Sequence, residues 1–272
     1  MGSLKASDDT KLFYQCWRAE SPKALVVISH GYAEHSSRYK EFASYLVENG
    51  FSVYALDYRG HGKSEGERAN ISVFRELVDD LHRFIHLVRE KQPNLKRFLL
   101  GHSMGGVVAS QLLLEHPYKV DALILSSPFL QNAVAVPAAL NAVSGVVGRY
   151  LPSLPTLRLD TSHISRDKDR VDAYVNDPLV YTGGTKARMG VELRDAGPYV
   201  LDRAKSLKLP CLVMHGDGDQ IASVDGSRLF IEQIESEDKT LNIYDGAYHE
   251  LLNEINREEV YKDVLAWLEK RV

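Results

Sequence analysis

Hydrophobic positions fall into two rhythms along this 272-residue chain. Ala24 to Ser29 (Ala-Leu-Val-Val-Ile-Ser) is an unbroken apolar, largely β-branched run, as in a strand covered on both faces. Phe51 to Asp57, Phe98 to Gly101, Asp121 to Ser126 and Cys211 to His215 read the same way, and Thr240 to Tyr244 supplies a last strand. Lys11 to Trp17 alternates loosely and opens the series. Between these runs the period changes to that of a helix. Tyr39 to Glu48 is closed by Asn49-Gly50. Val73 to Glu90 carries Leu77, Leu81, Phe84, Ile85 and Val88 on one face. Val107 to Glu115 is apolar nearly all round, which predicts a helix buried inside the molecule. Val224 to Ile234 and Glu258 to Lys270 complete the set. Strand and helix in alternation predict an α/β fold with a doubly wound, mostly parallel sheet.

The alternation lapses between Phe129 and Gly197. No charged residue occurs between Asp121 and Arg149, and the stretch from Ala133 to Leu140 is helical and apolar without a strong polar face. The expected organisation is a core of residues 1–128 and 198–272 with an inserted helical cap, 129–197.

Composition narrows the class. A net charge of −4 and the lack of a Lys/Arg run leave no basic field for nucleic acid. Two cysteines, Cys16 and Cys211, do not make a disulfide framework. No leader and no membrane-length apolar run is read, so a cytoplasmic protein is expected.

The chemistry centres on Arg97 to Gly106, Arg-Phe-Leu-Leu-Gly-His-Ser-Met-Gly-Gly. A strand runs into Ser103 and a helix leaves it, with Gly101 and Gly105 two residues to either side. A sharp strand-to-helix turn crowds the flanking backbone, and glycine relieves that crowding. The serine hydroxyl then stands clear of the sheet at a helix N-terminus. A nucleophilic serine needs a base and a group to orient the base. In a doubly wound hydrolase these follow in the order serine, acid, histidine on later loops. Of ten histidines that order leaves His249, since His215 lies at a strand end and precedes the available acids. The acid belongs in Gly216-Asp217-Gly218-Asp219, where the pattern alone does not choose between Asp217 and Asp219. Two backbone N–H groups should hold the oxyanion, that of Met104 and, from His30-Gly31-Tyr32, that of Tyr32. The loop from Asp57 to Ser64 lacks dinucleotide or P-loop glycine spacing and reads as a turn held by Arg59. His249-Glu250 lacks the second histidine of a zinc helix, and no metal or redox cofactor is indicated.

These segments together resemble the monoacylglycerol lipase and lysophospholipase group of the α/β-hydrolases, nearly end to end. His30 to Tyr39 resembles that group's oxyanion loop, Asp57 to Ser64 its glycine-rich turn, and Gly101 to Gly106 its nucleophile elbow. Asp172 to Leu179 resembles a cap segment bearing a tyrosine, His215 to Asp219 the acid loop, and Tyr244 to Glu250 the histidine loop. The resemblance selects Asp219 as the acid and implies a polar head-group pocket at Glu34, Arg38 and Tyr174. It also implies departures: Leu252 stands where animal members carry a second histidine, and their pocket cysteines have no counterpart. On those positions the pattern is closer to plant and bacterial members.

The expected activity is hydrolysis of single-chain lipid esters, foremost monoacylglycerol to glycerol and fatty acid, with lysophospholipids or small esters as alternatives. A ligand receptor on the same fold is a distant alternative, because no member of the Ser103–His249–Asp219 set is missing. Activity should fall below about pH 6.5, the reference histidine value. The cap opening, with Val134, Val136, Leu140, Val143, Val146 and Val147, is expected to line an acyl tunnel on one face. Its other face should touch lipid surfaces transiently.

Overall fold

A computed structural model describes every residue except 117–119 and 134–137, and the backbone alone over 138–142. The expectations at Val134, Val136 and Pro137, and for the side chain of Leu140, therefore lie outside the described residues. Among the described residues, eight strands form one sheet: β1 (Gly2–Lys5), β2 (Lys11–Trp17), β3 (Ala24–Ser29), β4 (Phe51–Leu56), β5 (Arg97–His102), β6 (Ala122–Ser126), β7 (Cys211–Gly216) and β8 (Lys239–Tyr244). Their order is β1-β2-β4-β3-β5-β6-β7-β8. β1 and β2 are antiparallel to their neighbours and the rest run parallel. Every residue of β3, β4, β6 and β7 is buried, as their unbroken apolar runs require of strands covered on both sides.

Among the described residues, eight helices accompany the sheet. α1 (Lys40–Glu48) and α8 (Arg257–Glu269) cover one face, packing Phe42, Leu46, Val264 and Trp267 against Val26, Val53 and Leu212. α2 (Arg75–Lys91), α3 (Met104–Glu115) and α7 (Val224–Gln233) cover the other, through Leu81, Phe84, Val108, Leu112 and Phe230. Complete burial of one such leucine or phenylalanine is worth about 1.5–3 kcal/mol. α3 is apolar all round because β5 lies beneath it and α2 and α6 (Ala187–Arg203) flank it.

The segment after β6 holds α4 (Ala138–Tyr150), α5 (Lys168–Val175) and α6. α6 runs without a break through Pro198, so the expected boundary at 197/198 falls inside one helix. Val200 and Leu201, beyond the proline, join the core cluster with Met189 and Leu193, which precede it. β1 was not anticipated. Four residues with exposed Ser3 and Lys5 make an edge strand too short and polar for periodicity to reveal.

The sheet's carboxyl edge is organised by β3. Its neighbours are β4 and β5, so the connections leave in opposite directions and open a crevice there. The crevice closes tightly around α3. A Cβ on Gly105 would lie 2.1 Å from the carbonyl oxygen of Ser29 on β3, and one on Gly101 2.6 Å from the Gly105 carbonyl. These are backbone contacts that no rotamer change relieves.

Gly105→Ala decides between two effects of opposite sign. Alanine gains about 1 kcal/mol in helix propensity, whereas overpacking against fixed backbone costs about 3 kcal/mol or more. The clash should win, and thermal denaturation should show a marked fall in Tm. A Tm at or above the parent's would contradict the close approach of α3 to β3.

Candidate active site

Ser103 sits between β5 and α3 with φ 50° and ψ −119°. This left-handed conformation costs a non-glycine residue on the order of 1–3 kcal/mol. It persists because the neighbouring backbone fixes it: the Ser103 N–H donates to the Ser126 carbonyl, and its own carbonyl accepts from Phe129 N–H. The side chain is thereby turned out of the sheet.

His249, just past β8, brings Nε2 to 2.8 Å from Ser103 Oγ. Its Nδ1 lies 2.7 Å from Asp219 Oδ2, on the loop after β7. An ionised carboxylate only accepts, so Nδ1 carries the proton and Nε2 offers its lone pair to the serine hydroxyl. The other Asp219 oxygen accepts the N–H groups of Ile221 and Ala222. Asp217 points elsewhere and accepts the Gly246 N–H at 2.6 Å, an ordinary turn contact. The geometry thus separates the two aspartates that the sequence pattern left open.

Electrostatics here is a contest between burial and paired charge. Burial alone pulls the His249 imidazole down, but the charge of Asp219 and its hydrogen bond more than offset this and leave it above 6.5. Burial likewise pushes the Asp219 carboxyl up, and the two histidines beside it draw it well below the usual carboxylate range. His102, whose ring centroid is 4.9 Å from that of His249, is driven by burial to about 4 and stays neutral.

Met104 and Tyr32 both border the cavity above Ser103. Among the described residues, no backbone or side-chain acceptor takes up either N–H. The loop bearing Tyr32 is pinned on both sides. Gly31 N–H donates to Glu34 Oε1, and His30 Nδ1 donates to the Gly31 carbonyl while its Nε2 accepts from Tyr58 N–H.

Glu34, Arg38 and Tyr174 lie together, Arg38 paired with Glu34 and stacked over the Tyr174 ring, in a different arrangement from an open polar pocket. Glu34 also accepts the Tyr39 hydroxyl and pairs with Arg38 at 2.9 Å. Arg38 makes a two-pronged pair with Glu250, both contacts at 2.6 Å, and its guanidinium lies over the Tyr174 ring. Burial pushes the Glu34 carboxyl up, yet Arg38 draws it down to about 2. Glu34 and Tyr174 border the cavity, whereas Arg38 stands behind them, facing a second groove on the outside. Sequence reasoning missed Glu250, whose only signal was its place next to His249.

The turn from Asp57 to Ser64 is held as expected: Arg59 grips Asp80 through Nε and Nη2 at 2.7 and 2.8 Å. Among the described residues, no group of His, Cys, Asp and Glu is arranged to hold a metal ion.

Above Ser103 the cavity has a volume of about 440 Å³. Its walls come from β-strand loops below and from Val143, Val147, Val191 and Leu193 of α4 and α6 above. Among the described residues, no helix is long and apolar enough to cross a membrane.

An elbow serine linked to imidazole and carboxylate on this fold defines a serine-dependent ester hydrolase of the α/β-hydrolase class. The family described as serine aminopeptidase, S33, matches residues 20–256. A monoacylglycerol lipase of Mycolicibacterium smegmatis is 38% identical over 95% of this chain and 92% of its own length. The human monoglyceride lipase is 36% identical over 98% and 90%. The crystal structure of a Paleococcus ferrophilus monoacylglycerol lipase superposes with a TM-score of 0.85 at 33% identity, covering 94% of this chain and 98% of that one. The chain belongs to the serine aminopeptidase S33 family of α/β-hydrolases and, within it, to the monoacylglycerol lipase group. The bacterial and the human relative stand at nearly the same identity, 38% and 36%.

The balance at His249 is directly measurable. In the intact protein its imidazole should titrate above 6.5 by NMR. In Asp219→Asn the opposing charge is gone while burial remains, so the titration should fall below 6.5. A midpoint unmoved by that substitution would show that Asp219 does not set the charge on His249.

Proposed function

We propose that this chain hydrolyses monoacylglycerols and related single-chain lipid esters through an acyl-enzyme. Ser103 Oγ attacks the acyl carbonyl as His249 Nε2 takes its proton. Asp219 orients the imidazole and stabilises the imidazolium that forms. The N–H groups of Tyr32 and Met104 stabilise the oxyanion, each worth about 10²–10³ in rate. His249 returns the proton to the departing alcohol, and water then repeats the sequence on the acyl-enzyme. The observation that carries this reading is the unbroken Ser103–His249–Asp219 hydrogen-bond chain at the floor of an apolar cavity. A volume of about 440 Å³ suits one drug-sized ligand and supports a single-chain substrate.

Segment 129–197 acts as the lid in this reading. Glu34 and Arg38 serve as braces for the oxyanion loop, because their charged atoms already hold one another, Gly31 and Glu250. Tyr174 is then the member of the expected trio best placed for the alcohol. The outer side of the lid meets lipid aggregates transiently, and the chain otherwise works in the cytoplasm. Support for the contact comes from Val146, Tyr150, Leu151 and Leu154, large apolar side chains left exposed on α4 and the segment after it.

A fluorophosphonate probe should label the protein once, and Ser103→Ala should abolish labelling and lower kcat by about 10⁶. Asp219→Asn should lose about 10⁴ in kcat, and Asp217→Asn only a few-fold. The acid limb of kcat/KM should lie above 6.5, higher than the reference histidine value suggested, since a protonated His249 cannot accept the serine proton. Labelling that survives in Ser103→Ala, or a greater loss in Asp217→Asn, would refute the assignment.

The lid contact calls for two substrates. Val146→Asp and Tyr150→Asp alter exposed side chains outside the cavity wall. They should slow hydrolysis of aggregated long-chain monoacylglycerol several-fold and leave a soluble short-chain ester unaffected. Equal losses on both substrates would make this face part of the packing alone.

A further inference from the structure

We propose that His215 is a positioning residue for Asp219, donating to the same carboxylate oxygen that holds His249. The inference rests on the reading of Asp219 as the orienting acid. His215 is fully buried near the end of β7. Its Nε2 lies 3.1 Å from Asp219 Oδ2 and 3.1 Å from the Ala222 carbonyl. Both partners only accept, so Nε2 carries a proton in either charge state of the ring. On the far side Nδ1 lies 2.7 Å from the Ser227 hydroxyl of α7. Both ring nitrogens are therefore engaged, and the imidazole cannot flip without breaking both ends.

This arrangement solves a problem that the triad alone leaves open. Asp219 sits on a loop, four residues past His215. Its Oδ1 is fixed by two backbone N–H groups, but Oδ2 has only side-chain partners. Held by His249 alone, the carboxylate would be oriented by the group it has to orient. The His215 donor fixes Oδ2 from the protein interior, filling the fourth of four acceptor sites. It also places the positive end of an N–H dipole on the oxygen facing His249 and so moderates the pull on the imidazolium.

The other titratable groups facing His249 are His102, Glu34 and Glu250, and the two glutamates are paired with Arg38. His215 faces Asp219, with the Ser227 hydroxyl and the Ala222 carbonyl as its remaining partners. Removing the His215 donor leaves more negative charge on Asp219 for His249, so the His249 pKa rises. The acid limb of the rate profile then moves to higher pH.

The test compares His215→Leu with His215→Gln on a soluble short-chain ester. In the leucine variant kcat should fall about tenfold, roughly the worth of one charge-assisted hydrogen bond, with KM unchanged. The acid limb of kcat/KM should shift upward. Glutamine keeps an N–H donor near the Nε2 position and should restore both the rate and the limb. A leucine variant with parental Tm, kcat and acid limb would reduce His215 to packing. Equal impairment of leucine and glutamine variants would do the same. Should the leucine variant fail to fold, Ser227→Ala frees one end of the ring and should shift the limb in the same direction by less; an unmoved limb there overturns the proposal. Failure of the underlying reading is distinct, because Asp219→Asn would then retain activity.

Discussion

The close approach of three backbone segments around Ser103 is the constraint from which the rest follows. β3 passes beneath the first turn of α3 so tightly that Gly105 meets the Ser29 carbonyl, and Gly101 meets Gly105 in turn. The Ser29 hydroxyl adds a hydrogen bond to the Gly105 carbonyl at 2.8 Å. A serine caught in this contact cannot relax its left-handed backbone without pulling β5 away from β6, whose Ser126 carbonyl holds its N–H. Strain is thus kept at the one residue whose side chain must leave the sheet. The sheet's many buried apolar contacts outweigh it.

A site fixed this firmly has to bury charge, and the burial sets the electrostatic design. His249, Asp219 and Glu34 are all withdrawn from water, and burial alone would force each toward its neutral form. They stay useful because every charge has a partner of matched geometry. The carboxylate of Asp219 fills four acceptor positions, and Arg38 bridges two glutamates. Breaking one partner of such a buried set costs about 3–5 kcal/mol, because it strands the other. The side of the cavity built from Glu34, Arg38 and Glu250 is consequently stiffer than a set of free charges.

Much of the core was legible in the sequence because its signals are local. The boundaries of β2 and β3 match the apolar runs, and those of the other strands and helices predicted for the core fall within a few residues. The helix expected from Ala133 to Leu140, by contrast, is described only from Ala138 and runs on to Tyr150. Gly101 announced the elbow because the clash it avoids, with Gly105, lies within a few residues of chain, whereas Gly105 answers to the distant Ser29 carbonyl. What the sequence hid is long-range. Asp217 and Asp219 differ only in where the loop after β7 turns, and that turn is set by Gly216 lying against the Ala247 carbonyl of another loop. Arg38 looked like a pocket residue because its partner Glu250 is 212 positions away. His215 was set aside as a base by chain order, which says nothing about a second role on the same carboxylate.

The inserted segment and the loop bearing His249 are joined by hydrogen bonds into one unit. Glu254 is completely buried; one of its oxygens accepts the N–H of Tyr248, beside His249, and that of Arg166 on the inserted segment. Its other oxygen takes the Arg166 side chain, and Glu250 N–H donates to the Ile164 carbonyl. Further along, Tyr181 N–H donates to the Ala33 carbonyl, and Asp177 accepts from His35, so the insert also grips the loop that follows Tyr32. A displacement of residues 164–181 would pull on both His249 and the loop bearing Tyr32. The chain after α4 is bonded instead to the start of α6. Thr156 N–H donates to the Thr185 carbonyl, Thr185 N–H to the Leu157 carbonyl and Ala187 N–H to the Leu154 carbonyl, so the two ends of the insertion answer to different anchors.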